Sequence, residues 1–328
     1  MRTRSRSRFL VPILLAVVLA AAAYLYVVNH RVEGPLTGLG VSRDIAGRRA
    51  VAVMLDNFSP DARPQSGLDR ASLVFETLAE GGITRFMAVY QEQDAPLVGP
   101  VRSTRLYFNA WATGLGVIFG HDGGNVDALQ QLPSLSAVAN VDADRSPAPF
   151  HRTTDRAVPH NEYTGTPELC SYAAGGGGAP PALPHKSDAP PSQRPASFAL
   201  HVAFSSSDYN VDWRYDPAAN DYLRFMGGAP HIEATTGKQL RAKNVIVMQT
   251  DLSADSDPFT PGAIRLRTEG TGVATVYRDG VAIAGTWSKP SVSAPLQWLD
   301  GSGNQIKLDR GNAWVEVVPT GTLVTTGR

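Results

Sequence analysis

The 328-residue chain carries 30 basic and 30 acidic side chains, with 43% hydrophobic and 18% charged residues, a globular composition that excludes full-length disorder and collagen-like repeats. Four arginines and no acid fall within the first 28 residues, so the remaining body is mildly acidic, which argues against nucleic acid as a partner. The single cysteine, Cys170, excludes an internal disulfide framework and any zinc site built on several cysteines.

Residues 1–29 read as a basic tip followed by a membrane segment. Arg2, Arg4, Arg6 and Arg8 precede the uncharged run Phe9 to Val28, whose length matches a bilayer core. The arginines predict a cytoplasmic N-terminus and an extracytoplasmic body on a single-pass anchor. The alternative is a signal peptide cut after the small residues Ala20 to Ala23, which would release the body by secretion.

Residues 34–172 read as an α/β domain. Ala50 to Leu55 has strand length and ends in the turn-prone Asp56, Asn57, Ser59 and Pro60. Leu73 to Glu80 and Ile83 to Tyr90 flank Gly81-Gly82 and predict a hairpin. Ser103 to Leu115 has near-helical apolar spacing and stops at Gly114 and Gly116. Val117 to Gly120 reads as a buried strand, and Asn125 to Leu132 as a helix ended by Pro133. Residues 173–197, rich in Gly, Pro, Ala and Ser, read as a linker or a disordered insertion.

Residues 198–328 read as mostly β. The expected strands are Phe198–Phe204, Val211–Tyr215, Tyr222–Met226, Asn244–Gln249, Ile264–Arg267, Val273–Arg278, Val281–Thr286, Gln305–Leu308 and Trp314–Val318, with a hairpin turn at Asp279-Gly280. A β-sandwich or partly closed barrel follows. The fold class is therefore mixed α+β: an N-terminal transmembrane helix, an α/β domain and a mostly-β C-terminal domain.

Several motifs resemble one family. They are PLTGL at Pro35, ARPQSGL at Ala62, EGGITRFMAVY at Glu80, GPVRSTR at Gly99, GHDGG at Gly120 and PHNEYT at Pro159. GGAPHIEATTGKQL at Gly227, NVIVM at Asn244 and a terminal pattern at Asp300, Trp314 and Pro319 complete the set. Together they are similar to the DUF3048 family from Pro35 onward. The resemblance implies an extracytoplasmic protein of two family domains whose relatives are commonly lipoproteins. This chain has no lipobox cysteine at its apolar run to carry a lipid, so an anchor helix would replace it. The resemblance implies fold and location, not a mechanism.

Arginine lies beside acids, amides and histidine in the first block. Arg63 and Gln65 flank Pro64 in a turn, and Glu76 and Glu80 share strand parity. Arg85 lies on the returning strand, while Arg102 and Arg105, three apart, are expected on one face of the helix start, where they would suit an anion. His121 and Asp122 follow a strand, and His160 and Asn161 lie in a proline-flanked loop. One reading gathers Arg63, Glu80, Arg85, Arg102, Arg105, His121, His160 and Asn161 into a polar cleft; the other makes them a structural ion-pair network. His231 and Glu233 are the polar residues to watch in the second block, where Trp213, Tyr215, Tyr222, Phe225, Trp287, Trp298 and Trp314 are either core or a sugar-stacking platform.

No catalytic motif stands out. A metal set from His121, Asp122 and His160, with His151, lacks a paired spacing, and no metal is assigned. Ser103 reads as a helix-start hydroxyl and Cys170 as unsupported for catalysis. Glu76 and Glu80 would sit ~13 Å apart along a strand, beyond the carboxyl spacing of inverting glycosidases. No cofactor is implied. The main reading is a non-catalytic envelope protein that binds an anionic glycan, a peptidoglycan-related ligand, another anionic small molecule or a membrane or envelope protein partner. One alternative is an envelope hydrolase or transferase with Glu80 or His121 as acid–base and Arg102 and Arg105 as clamp. The other is a structural or regulatory partner of an envelope machine.

Overall fold

The computed structural model describes residues 12–13, 31–173, 177–255 and 259–327. Apart from Pro12 and Ile13, the apolar run Phe9–Val28 lies outside the described residues, and the expected anchor falls there with it. Among the described residues no helix is long and apolar enough to cross a membrane.

The first block supplies five strands to the large sheet, β1 (Val51–Leu55), β2 (Leu73–Leu78), β3 (Thr84–Tyr90), β4 (Ile118–His121) and β5 (Ala139–Asp142). Its helices are α1 (Arg43–Gly47), α2 (Leu106–Leu115), α3 (Val126–Gln131) and α4 (Thr166–Tyr172). The second block supplies β6 (Ala199–Val202), β7 (Val211–Asp216), β8 (Asp221–Met226), β9 (Ala229–Pro230), β10 (Arg241–Ala242), β11 (Asn244–Thr250), β12 (Gly270–Arg278), β13 (Val281–Lys289), β14 (Gln297–Leu299), β15 (Ala313–Pro319) and β16 (Val324–Gly327). The protein is mostly β with few helices, a mixed fold.

Ten strands from both blocks join in one sheet, in the order β14-β13-β12-β11-β15-β2-β3-β1-β4-β5. The two blocks meet where β15 pairs in parallel with β2, placing Glu316 opposite Glu76. A second sheet, β9-β8-β7-β6-β16 with β10 on β8, covers one face. Side-chain alternation explains the layering. Val51, Val53 and Leu55 of β1 lie in one buried cluster with Leu169 of α4 and with Trp213, Tyr222 and Leu200 of the second sheet, whereas Ala52 and Met54 lie in the other cluster with Phe108 and Trp111 of α2. Every residue of β1, β2 and β3 is buried, as strands sandwiched between two layers must be.

Turn chemistry fits the breaks. Gly81 and Gly82, at φ 67° and 77°, close β2 on β3, and Asp279 and Gly280, at φ 52° and 73°, close β12 on β13 as a type I′ turn requires. Gly116 ends α2 at φ 68°, donating to the carbonyls of Ala112 and Thr113.

Two expectations are corrected here. Helix α2 starts at Leu106, with Arg105 extended before it, so Arg102 and Arg105 do not share a helical face. The Thr104 N–H donates to the Gly123 carbonyl, and such cross-chain bonds hold this stretch extended. Strand β2 stops at Leu78, and Glu80 sits in the following turn, so its parity with Glu76 is lost.

The described part of the Gly/Pro-rich stretch lies against the body. The Leu183 N–H donates to Pro35, the Pro184 carbonyl accepts from Leu308, and His185–Lys186 pairs with Leu308–Asp309. Lys186 reaches Asp279 at 2.5 Å and Asp309 at 2.7 Å. Prolines lose little chain entropy on ordering, so a few main-chain bonds and one ion-pair cluster suffice to fix such a strap.

Candidate functional site

Strands β1, β4 and β5 run parallel, and the residues after their C-terminal ends gather on one edge of the sheet, where open α/β sheets commonly hold ligands. Asp56 follows β1 and is buried. Its Oδ2 lies 2.7 Å from Nδ1 of His160 and 3.0 Å from Nε of Arg102. Its Oδ1 accepts the Phe58 N–H at 3.0 Å. Arg102 is fixed by its main chain, donating to Met54 of β1 and accepting from Asp122 after β4. The Phe58 ring, 40% exposed, stacks on the His160 imidazole with centroids 5.3 Å apart. Nε2 of His160 meets no hydrogen-bond partner among the described residues.

A second group adjoins these side chains in sequence. Arg152 donates to Asn161 Oδ1 at 3.0 Å, pairs with Glu162 at 2.7 Å and lies 3.9 Å from Asp122. The Asn161 amide donates to the Thr153 carbonyl, so Asn161 shapes the loop. Burial raises the carboxyl of Asp122, with Asp144 adding to it and Arg152 and Arg102 opposing. Burial likewise raises Glu162 against the opposing charge of Arg152.

Glu80, Arg85 and Arg105 form a separate, closed cluster. Glu80 accepts from Arg85 at 3.1 Å and from Arg105 Nε at 3.0 Å, while Arg85 also donates to the Ser103 carbonyl. Burial raises the Glu80 carboxyl, but the two guanidinium charges outweigh it and hold it at about 2. Both arginines are buried; Arg105 directs Nε and both terminal nitrogens to protein acceptors, whereas Nε of Arg85 has no partner. Glu80, Arg85 and Arg105 thus pair with one another, while Arg102 turns to Asp56.

Arg63, Gln65 and His231 belong to a buried relay between the two sheets. Arg224 of β8 is fully buried, donating to His231 Nδ1 at 3.0 Å and Glu316 Oε1 at 2.6 Å, and pairing with Glu76. Its guanidinium lies 4.1 Å from the Trp314 ring centroid and 4.9 Å from that of Trp213. Arginine can only donate, so His231 Nδ1 accepts and its Nε2–H donates to Gln65 Oε1 at 2.8 Å. Burial, with the charges of Arg224 and Arg63, drives the His231 pKa well below the usual value, so the ring is neutral. Gln65 donates onward to Asn57 and to the Asp56 carbonyl, and Arg63 donates to Asn57 at 2.8 Å. Asn57 donates to Thr84, which donates to Glu76, both at 2.6 Å. The Glu76 carboxyl is pushed up to about 8 by burial, Arg224 opposing and Glu316 adding to it.

His121 is spent differently. Its Nδ1 donates to the Gly123 carbonyl at 2.8 Å, and its Nε2 lies 2.6 Å from Asn140 Oδ1. His121 and His160 thus serve different partners. Among the described residues no group of three or more His, Cys, Asp or Glu is placed to hold a metal.

The DUF3048 N-terminal domain, described as a protein of unknown function, matches residues 36–178, and the DUF3048 C-terminal domain matches residues 200–315. The chain belongs to the DUF3048 family. It is 32% identical over 298 residues to "Putative lipoprotein YerB" of Bacillus subtilis (strain 168), covering 88% of this chain and 87% of that one. The crystal structure of the YerB protein from Bacillus subtilis matches with a TM-score of 0.80 at 28% identity, covering 90% of this chain and 100% of that one.

The Asp56–Arg102–His160 group lies wholly within the DUF3048 N-terminal domain, whereas the buried relay joins both family domains. Sequence reasoning singled out Arg102 and His160 but not Asp56, which it read as a turn residue. The signal was present: an acid directly after a wholly apolar strand, beside Asn57. Arg224 and Glu316 were also missed, because alternation along β8 and β15 carries no mark of a partner on another sheet. The tryptophans Trp213, Trp287, Trp298 and Trp314 are buried core residues.

Proposed function

We propose that this DUF3048 protein works in the cell envelope as a binding protein for a peptidoglycan-related saccharide, held at the sheet edge around Asp56, Arg102 and His160. The lipoprotein description of the YerB relative and the arginine-led apolar run of this sequence support the location, with the body outside a single-pass anchor. The observation that carries the binding reading is the convergence of Arg102 and His160 on one buried carboxylate beside an exposed aromatic face. Sugars are recognised by such pairings of an apolar ring face with oriented polar groups. Acids and bases alternate here (Asp56, Arg102, Asp122, Arg152, Glu162), which suits a ligand of mixed polarity better than a bare anion.

The test is thermal stabilisation of the purified protein by muropeptides and uronates. Stabilisation that follows ligand mass action and is lost in His160→Ala and Arg102→Ala supports the reading; no stabilisation by any of these ligands overturns it. A second reading, an envelope hydrolase or transferase, is favoured by one feature. Asp56 holds Nδ1 of His160 and leaves Nε2 unpartnered, the orientation of a general base. Turnover of the same saccharides that disappears in His160→Ala would select it.

A further inference from the structure

On the opposite face of the large sheet, away from the Asp56 edge, lies an apolar cavity built from both family domains and the Gly/Pro-rich strap. Leu73, Phe75 and Trp111 come from the first block, Lys289, Trp298 and Ile306 from the second, and Pro181 to Pro184 close one wall. Its free space of about 50 Å³ is several times the ~10–15 Å³ that one water needs.

Three polar groups on this apolar lining lack a counterpart. Trp111 and Trp298 are buried, at 1% and 4% exposure, and neither indole Nε1–H meets an acceptor. Lys289 is fully buried, and its ammonium is ringed by the carbonyls of Ser291, Val292 and Ala294 at 2.5–2.8 Å. No described carboxylate pairs with it. Burial pushes its pKa down to about 8, Glu269 opposing from a distance. Carbonyl oxygens satisfy its N–H groups but leave its charge uncompensated. Two orphan donors and one uncompensated cation in a single apolar space all call for the same missing element, an anionic acceptor on an apolar body.

We propose that this cavity binds a small carboxylic acid with an apolar body, its carboxylate accepting from the indoles of Trp111 and Trp298 in the field of Lys289. The free space has room for about four water-sized groups, which suits a short-chain acid such as propionate, and the strap, which the DUF3048 matches leave partly uncovered at residues 179–199, forms part of the enclosure.

Isothermal titration of the full chain with propionate and with 1-propanol, of similar shape without the charge, tests this. Propionate is expected to bind saturably and at least about tenfold more tightly than 1-propanol. Trp298→Phe keeps an aromatic ring and deletes one donor, and is expected to weaken propionate by about tenfold. No saturable propionate binding overturns the proposal, as does equal affinity for the alcohol or unchanged propionate affinity in the variant. Should the variant fail to fold, the comparison of the two ligands on the unaltered chain decides alone.

Discussion

Replacing Glu316 by Gln is expected to stabilise this protein in alkaline solution. Two carboxylates, Glu76 and Glu316, face one guanidinium, Arg224, with all three fully buried. Ionising both acids would leave an uncompensated charge between the sheets, so the pair retains a proton, and the Glu76 carboxyl rises to about 8 from its ordinary 4.5. A raised folded pKa contributes stability that is fully present below the unfolded value and is lost as pH rises through the folded one. Between 4.5 and about 8 the native state therefore holds the extra proton, and stability falls by roughly 1.4 kcal/mol per pH unit from this pair. From pH 6 to pH 8 the loss is on the order of 3 kcal/mol. Glu316 Oε2 has no partner, so the amide of Glu316→Gln can take its place and donate to Glu76, supplying permanently the hydrogen the pair otherwise shares. Oε1 would still accept from Arg224 and from Trp213, now at 2.6 Å and 2.8 Å. Urea denaturation of both proteins at pH 6, 7, 8 and 9 is the assay. Other shifted groups, Lys289 at about 8 and Asp309 at about 6, cancel in the difference. The variant should gain on the parent by most of that 3 kcal/mol across the range; parallel pH profiles, or a variant several kcal/mol less stable at pH 9, would refute the shared-proton argument.

Two further outcomes follow from the same physics. Glu80→Ala removes the one carboxylate that, among the described residues, pairs with buried Arg85 and Arg105, so unfolding free energy should drop by about 3–5 kcal/mol, measured by urea titration at pH 7; a drop below about 1 kcal/mol would mean that solvent already compensates the arginines. Gly116→Ala places a side chain at φ 68° with its nearest neighbour 3.9 Å away, so strain alone should cost about 1 kcal/mol, readable as a fall in Tm of a few degrees.

Much of the fold was legible because its signals are local. The run VAVML, the Gly81-Gly82 break and the Asp279-Gly280 turn each carry their own structure, and the strands expected in the second block have counterparts there except Gln305–Leu308, which keeps only a bridge at Gln305 and the short pairing at Leu308. What escaped were elements whose identity depends on partners far along the chain. Strand β5, the residues ANVD, has only Val141 as a large apolar member and is a strand because β4 offers it an edge. Helix α4 begins at Thr166-Pro167 with few apolar positions. The site was legible in the same uneven way. Composition pointed to Arg102 and His160, but helical spacing gave Arg102 the wrong companion. It pairs with Asp56 on another strand, while Arg105 turns to Glu80.

That division also explains why the two DUF3048 domains belong in one chain. The N-terminal domain contributes β2, whose open edge accepts β15 of the C-terminal domain in parallel, and the pairing sets Glu76 beside Glu316. Both acids meet Arg224 there, which arrives on a different sheet. Arg224 in turn orients His231, whose Nε2–H reaches Gln65 and through it the main chain of Asp56. A continuous run of hydrogen bonds therefore links the joint between the domains to the exposed edge where His160 and Arg102 meet. The position of the Asp56 carboxylate is set by the N-terminal domain's own strand, but its backing is supplied by the C-terminal domain. The Asp56, Arg102 and His160 side chains all come from the first domain, yet the hydrogen bonds behind them run through the second.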